Sequence, residues 1–186
     1  MRTMLILRGN SGTYADEDGK PHKYEKGALH EGAATTYAAR KGYRAKVLDI
    51  SGDSKPPGPD AKPGKDGKKH GTRDDSPQTL EALSTFRSDT SIRALYGFSG
   101  GGYNVWWILK KLTPTERDRL KLVTVVGVDT DRPRSNYESS QFSGGSWELI
   151  YRPNHPNNHM FEPAALLAET PAGRFRDRSP AEEDDD

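Results

Sequence analysis

Residues 92–109 read IRALYGFSGGGYNVWWIL, and this stretch decides how the chain is organised. Its first part, Ile92–Phe98, is a short, mainly apolar run, which predicts a buried β-strand. Three glycines follow Ser99, and residues 103–109 are again mostly apolar, which predicts a helix with little exposed surface. A strand is therefore expected to pass through a tight turn at Ser99 into a buried helix.

Strands and helices alternate on both sides of this unit. Apolar runs predict strands at Thr3–Leu7, 44–50, Ile92–Phe98, 122–128 and 147–151. Helical spacing or capping residues predict helices at 27–41, 79–86, just past Ser99, from Thr113 and at 161–168. Such alternation implies βαβ crossovers and a parallel sheet covered by helices on both faces. We expect an α/β fold, a three-layer sandwich with a mostly parallel five-stranded sheet in the order 2-1-3-4-5.

Two segments differ from the rest in composition. Residues 51–78 are rich in proline, glycine and charge, and Ala61 is their only apolar residue. Residues 174–186 end in AEEDDD. Segments with so little to bury tend to stay unfolded. The expected organisation is a single domain over 1–173 with a polar, flexible insert at 51–78, followed by an acidic, disordered tail.

Composition excludes several classes of function. The 28 basic and 27 acidic residues are interspersed and leave a net charge of +1, which argues against nucleic acid as a partner. The absence of cysteine excludes disulfides, thiolate metal sites and a cysteine nucleophile. The N-terminal MRTMLILRGNSG has only a short apolar run and no signal-peptide cleavage site, and no segment is long enough to span a bilayer. We therefore expect a cytoplasmic protein with no membrane span.

The turn at Ser99 has the pattern Gly-x-Ser-x-Gly. Glycines at positions 97 and 101 remove Cβ clashes, so the backbone can reverse sharply around the serine and lift its Oγ out of the sheet. The helix that follows aims its N-terminus, with the Gly100 N–H, at the place where an oxyanion would form. The same glycines are also compatible with a loop that only packs tightly or binds phosphate. Neither Gly-x-Gly-x-x-Gly nor the Walker A residues occur in this segment, which favours a nucleophilic serine.

The order of apolar strand, Gly-Phe-Ser-Gly-Gly and apolar helix resembles the core of the α/β-hydrolase superfamily, in particular its small lipase-like and esterase-like members. The resemblance implies a reduced α/β-hydrolase core with Ser99 as nucleophile, an acid at a later strand end and a histidine near the C-terminus. It further implies cleavage of an ester or related acyl bond through an acyl-enzyme intermediate. The partner would be a small acyl substrate, with no cofactor and no metal.

Five histidines are available as the base, and the chain order of that family leaves only His155 and His159. Both lie in the loop after the last predicted strand. We favour His159, because the adjoining Met160 and Phe161 can hold it against the core, whereas prolines surround His155, which remains the alternative base. A metal site on both histidines would need a helix, which Pro156 opposes.

Asp129 is the candidate for the acid that orients the imidazole. It directly follows the predicted strand 122–128, at the carboxyl end of the sheet where open α/β proteins place their sites. Asp131 is its nearest rival, and Glu138 and Glu148 are the acids available one strand later.

The second oxyanion donor, besides the Gly100 N–H, is expected from the loop 9–12 after the first strand. The backbone N–H of either Asn10 or Ser11 is the candidate. An ordinary strand-to-loop turn explains the same residues equally well.

Two functions from other classes fit parts of the sequence. A non-catalytic or phosphate- or nucleotide-binding doubly wound module, as in flavodoxin-like folds, has the same strand order, and segments 97–102 and 9–12 would then bind an anion. An interaction module would instead use the polar insert and the acidic tail.

Overall fold

The computed structural model describes residues 1–11, 13–15, 21–23, 28–128, 145–152, 158–161, 163–168 and 175–178. The strands are β1 (Thr3–Leu7), β2 (Thr13–Ala15), β3 (Pro21–Lys23), β4 (Arg44–Val47), β5 (Ile92–Phe98), β6 (Leu122–Val126), β7 (Ser146–Tyr151) and β8 (Phe175–Arg178). The helices are α1 (Ala28–Arg40), α2 (Pro77–Ser88), α3 (Gly100–Lys111), α4 (Pro114–Asp118) and α5 (Pro163–Ala168), with a 3-10 turn at Asn158–Met160.

Six of these strands form one sheet in the order β4-β1-β5-β6-β7-β8. The first five are parallel to their neighbours, and only β8 runs antiparallel to its neighbour β7. Counted along the chain, the five parallel strands have the order 2-1-3-4-5. The predicted α/β fold is confirmed. Strands β2 and β3 form a separate antiparallel hairpin that the hydrophobic pattern did not predict.

Helices cover both faces of the sheet. Successive side chains of a strand point to opposite faces, so each face is apolar and is buried by helices in its own core. Leu5, Leu95 and Val123 belong to the core packed against α2 and α3. Their neighbours Met4 and Ala94 belong to the core packed against α1 and α5. Every residue of β1 and β6 is buried, as expected for parallel strands enclosed on both sides. The result is a three-layer sandwich with the loops after β1, β4, β5, β6 and β7 at one edge.

The polar segment 51–78, which its composition predicts to be a flexible insert, is attached to this sandwich by hydrogen bonds at both of its ends. Near its start, the Gly52 N–H donates to the Gly9 carbonyl at 2.8 Å. At its end, Gln78 Nε2 donates to the carbonyl oxygens of Arg8 and Ile50, both at 2.9 Å. The segment has few apolar residues and is held by hydrogen bonds. Its low apolar content could not predict these bonds.

The tail predicted to be disordered from residue 174 contributes the edge strand Phe175–Arg178. Its register with β7 runs from Glu148 opposite Arg178 to Tyr151 opposite Phe175. The charged sequence FRDR suits an edge strand, since charge discourages further pairing. Backbone hydrogen bonding, which any residue offers, allows this polar stretch to pair with β7.

Among the described residues, none of the helices combines the length and the apolar character needed to span a bilayer.

Candidate active site

Ser99 lies in a strained turn between β5 and α3. Its backbone has φ 52° and ψ −118°, and it is the only non-glycine residue with positive φ in the described part of the chain. Such a conformation costs about 1–3 kcal/mol and persists only where the surroundings enforce it. Here the Ser99 N–H donates to the Val126 carbonyl at 2.9 Å, and the Ser99 carbonyl accepts from the Gly102 N–H at 2.9 Å. The chain thus forms the strand-turn-helix geometry that its glycine pattern predicts.

Close backbone contacts explain why glycines flank the serine. A Cβ on Gly97 would lie 2.5 Å from the Gly101 carbonyl oxygen, and a Cβ on Gly101 would lie 2.6 Å from the Leu7 carbonyl oxygen. Real Cβ atoms do not approach so closely, so α3 packs directly on the ends of β5 and β1. The side chain of Phe98, between Gly97 and Ser99, is packed in the core.

Ser99 is 7% exposed, and its side chain makes no capping hydrogen bond to α3. The next residue, Gly100, opens α3, and its N–H has no backbone acceptor among the described residues. A free N–H at the N-terminus of a 12-residue helix favours negative charge at that point. The serine and a potential oxyanion donor are therefore adjacent.

The loop after β1 reaches the same turn. Asn10 Oδ1 lies so close over Gly100 that a Cβ at position 100 would collide with it. The Asn10 N–H has no backbone acceptor in the described ranges, whereas the Ser11 N–H donates to Asp53 Oδ1 at 3.0 Å. Of the two predicted donors, Asn10 therefore has its N–H available, and that of Ser11 is already bonded.

Asp53 has a carboxylate at the edge of this site, and no sequence pattern identified it. It accepts hydrogen bonds from the Ser11 N–H, from Ser11 Oγ and, at 2.7 Å, from Ser51 Oγ. These contacts connect the loop after β1 to the segment after β4. No periodic or motif signal marks Asp53, because Ser11 is 42 residues away in the chain.

Arg73 is a second unpredicted residue beside the turn. Its Nη1 donates to the carbonyl oxygens of Gly52 at 2.7 Å and Gly100 at 3.0 Å, and to Asn104 Oδ1 at 3.3 Å. Burial lowers the pKa of the Arg73 guanidinium, and the negative charge of Asp53 acts in the opposite direction. An arginine starts from so high a pKa that it stays protonated at neutral pH.

Asn104 completes this polar cluster inside the protein. It is fully buried, and its Nδ2 donates to Gln78 Oε1 at 2.9 Å and to the Gly52 carbonyl at 3.3 Å. A lone amide in the apolar run 103–109 was the one sequence signal for such a cluster.

His159 lies at the carboxyl edge of the sheet, the same edge as Ser99. The preceding Asn158 exchanges two hydrogen bonds with the backbone of Arg152, at 2.6 and 3.0 Å, which fixes the 3-10 turn at the end of β7. A Cβ on Gly127 would lie 2.7 Å from the Phe98 ring and 3.2 Å from the Asn158 carbonyl oxygen. The 3-10 turn therefore packs next to the residue that precedes Ser99, and His159 is half-buried there.

The remaining predicted residues divide into two groups. Asp129, Asp131, Glu138 and His155 lie outside the described residues. Glu148 is described and fully buried, and its Oε2 is 3.3 Å from Lys41 Nζ. Lys41 follows the end of α1, where the chain returns to the amino ends of the strands, so Glu148 lies away from the edge that carries Ser99. This position does not favour Glu148 as the acid that serves Ser99.

Within the described ranges, no three acidic or histidine side chains lie close enough together to hold a metal ion. Compared with protein-family models, curated proteins and solved structures, the chain matches none of them. The geometry around Ser99 is therefore the basis for a functional hypothesis.

Proposed function

We propose that this protein is a serine hydrolase that cleaves an ester or related acyl bond through an acyl-enzyme intermediate, with Ser99 as its nucleophile. The observation that carries the proposal is the backbone of Ser99, at φ 52° and ψ −118° between β5 and α3. Glycine would adopt this conformation without strain. A serine kept there at a cost of about 1–3 kcal/mol is best explained by a need for its hydroxyl.

In the proposed reaction, Ser99 Oγ attacks the acyl carbon while His159 takes the hydroxyl proton. The N–H groups of Gly100 and Asn10 donate to the oxyanion of the tetrahedral intermediate. The C–O bond to the leaving group then breaks, and the departing alcohol takes the proton from His159. A water molecule then attacks the acyl carbon while the same histidine takes its proton. The bond between the acyl carbon and Ser99 Oγ breaks, the histidine returns the proton to Oγ, and the acid leaves. Asp129 is proposed to orient the imidazole.

The proposed partner is a small acyl substrate, and neither a cofactor nor a metal is needed for this chemistry. The interspersed charges, which sum to +1, form no basic patch in the sequence and so do not favour nucleic acid as a partner. We also propose a cytoplasmic location, which cell fractionation would test.

Covalent labelling tests the nucleophile. A fluorophosphonate probe should modify the wild-type protein with loss of fluoride, and mass spectrometry should locate the adduct on Ser99. Ser99→Ala should abolish the adduct. Ser91→Ala is the matched control, because Ser91 lies at the opposite end of β5, bonded to Asp89 at 2.6 Å, and should label like wild type.

Hydrolysis of p-nitrophenyl esters of graded chain length tests the base and the substrate class. His159→Ala should lower kcat by about 10²–10⁴, whereas His155→Ala should leave it unchanged. If the reverse holds, His155 is the base. A wild-type protein that neither labels nor hydrolyses any ester overturns the proposal.

One observation favours a second candidate, an anion-binding doubly wound module. The free Gly100 N–H at the start of α3 would also suit a phosphate group, and the strand order is shared with flavodoxin-like folds. Phosphate or a nucleotide would then raise Tm, without any labelling of Ser99. This candidate leaves the strained serine unexplained.

A further inference from the structure

We propose that Asp53 and Arg73, both in the polar segment after β4, are positioning residues that hold the two halves of the oxyanion hole in register. The inference rests on the proposed hydrolase function. It assigns a role to a segment whose composition suggested only a flexible insert.

The first half of the oxyanion hole is the Asn10 N–H. It belongs to the same peptide unit as the Gly9 carbonyl, which accepts from the Gly52 N–H at 2.8 Å. In a trans peptide, C=O and N–H point in opposite directions, so the bond from Gly52 directs the Asn10 N–H away from the segment. Asp53 secures the other side of Asn10, because its carboxylate accepts from both the N–H and the Oγ of Ser11.

The second half is the Gly100 N–H at the start of α3. Arg73 Nη1 donates to the Gly100 carbonyl at 3.0 Å and, with the same nitrogen, to the Gly52 carbonyl at 2.7 Å. Gly52 is therefore the shared element: its N–H holds Gly9, and its C=O is held together with that of Gly100 by one guanidinium group. Through this connection the peptide that carries the Asn10 N–H and the first turn of α3, where Gly100 carries the second donor, have a defined relative position.

Partly buried contacts around Arg73 limit its freedom. Nη1 also lies 3.3 Å from Asn104 Oδ1, and the guanidinium carbon lies 5.4 Å from the centre of the Tyr103 ring. Asn104 is in turn bonded to Gln78 in α2. Because its guanidinium is held from several sides, Arg73 fixes the positions of the carbonyl groups that it binds better than a mobile surface arginine would.

We expect an effect on kcat, because stabilisation of the oxyanion depends on where its two N–H donors are placed. Removing one donor of such a site commonly lowers kcat by about 10²–10³. Loosening a donor without removing it should have a smaller effect, on the order of tenfold or more, with KM little changed.

The test compares Asp53→Asn and Arg73→Gln with wild type and with a control from the same segment. Asp66→Asn is the matched control, because Asp66 is an exposed carboxylate whose hydrogen-bond donors among the described residues are Lys68 at 3.0 Å and His70 at 2.7 Å. Arg73→Lys serves as the conservative variant, which keeps the charge and one donor. For each protein, kcat and KM are measured with p-nitrophenyl butyrate, Ki with phenylboronic acid, and Tm by thermal unfolding. Phenylboronic acid forms a tetrahedral adduct on serine and so reports on the oxyanion hole itself.

The expected result is a fall in kcat of about tenfold or more for Asp53→Asn and Arg73→Gln, KM within about threefold, and a matching rise in Ki. Arg73→Lys should recover part of kcat, and Asp66→Asn should equal wild type. Unchanged kcat in a protein that still labels at Ser99 overturns this inference alone. A fall in kcat that only follows the loss of folded protein overturns it too. Failure of the wild type to label or hydrolyse overturns the proposed function and this inference together.

Discussion

The side-chain oxygen of Asn10 lies directly over Gly100, so close that the loop after β1 and the first turn of α3 leave no space for a Cβ at position 100. The carbonyl oxygen of Gly52 would also be only 2.9 Å from such a Cβ. The contact therefore joins three segments at the candidate oxyanion hole.

Gly100→Ala should displace Asn10 and the backbone of Gly52. We expect the free energy of unfolding to fall by about 1–3 kcal/mol, as for overpacked sites, and the fluorophosphonate labelling rate to fall with it. Urea unfolding and labelling kinetics measure the two effects.

Gly32→Ala is the control for that substitution. Gly32 is exposed in α1, and a Cβ at this position would have no atom within 4 Å outside the adjoining helix backbone. Alanine should raise the free energy of unfolding there by about 0.5–1 kcal/mol and leave labelling unchanged. Equal stability of the two variants would contradict the steric explanation.

An alanine variant is usually more stable than a glycine variant at the same position. The strain at Ser99 predicts the opposite order there. Both Ser99→Ala and Ser99→Gly should abolish labelling, but only glycine relieves the conformation at φ 52°. The relief of strain is partly offset by the greater conformational entropy of glycine in the unfolded chain. On balance, Ser99→Gly should be more stable than Ser99→Ala by about 1 kcal/mol. Urea unfolding of both variants measures this difference. If Ser99→Ala is the more stable, the turn is not strained.

Two tyrosines on the α1 side of the sheet differ in their hydroxyl groups. Burial raises the pKa of Tyr96, and its hydroxyl has no hydrogen-bond partner among the described residues. Tyr37 instead shares a bond of 2.8 Å with Thr124. Tyr96→Phe should leave the free energy of unfolding unchanged or raise it, whereas Tyr37→Phe should lower it by about 1–3 kcal/mol. Chemical denaturation measures the free energy of unfolding of both variants. An equal loss of stability in the two would show that their hydroxyl groups do not differ in this way.

Glu116 predicts a pH dependence of stability. The hydrogen bond from Arg87, at 2.8 Å, and that from the Thr113 N–H lower the pKa of Glu116 from 4.5 to about 2. A carboxyl whose pKa is depressed on folding adds stability that is fully present above pH 4.5 and is lost as the pH falls towards 2. Glu116→Gln should therefore be about 1 kcal/mol less stable than wild type at pH 7, and equally stable near pH 2.

Urea unfolding at a series of pH values measures that difference. Asp118→Asn is the control, because Asp118 lies in the same helix and forms no ion pair among the described residues. A difference for Glu116→Gln that persists unchanged at low pH would show that packing, and not the charge, is responsible.

The parallel core was predictable because its signals are local. The three central strands β1, β5 and β6 are mainly apolar runs, and Ile92–Phe98 was predicted with the bounds that the structure has. Helix α4 was predicted to begin after Thr113, whose side chain and Glu116 form the capping box. The hairpin β2–β3 and the edge strand β8 were not predicted, because short polar strands have no hydrophobic periodicity and depend on backbone pairing.

Of the candidate site, the sequence identified Ser99, its flanking glycines and the loop after β1, since a glycine turn between an apolar strand and an apolar helix can be recognised from adjacent residues. Tertiary structure decided the rest. The positive φ of Ser99 is held by Val126 from the neighbouring strand, and Arg73 reaches Gly100 across 27 residues of chain. Hydrogen bonds between residues so far apart in sequence depend only on where the fold brings them, so no local pattern of residues encodes them.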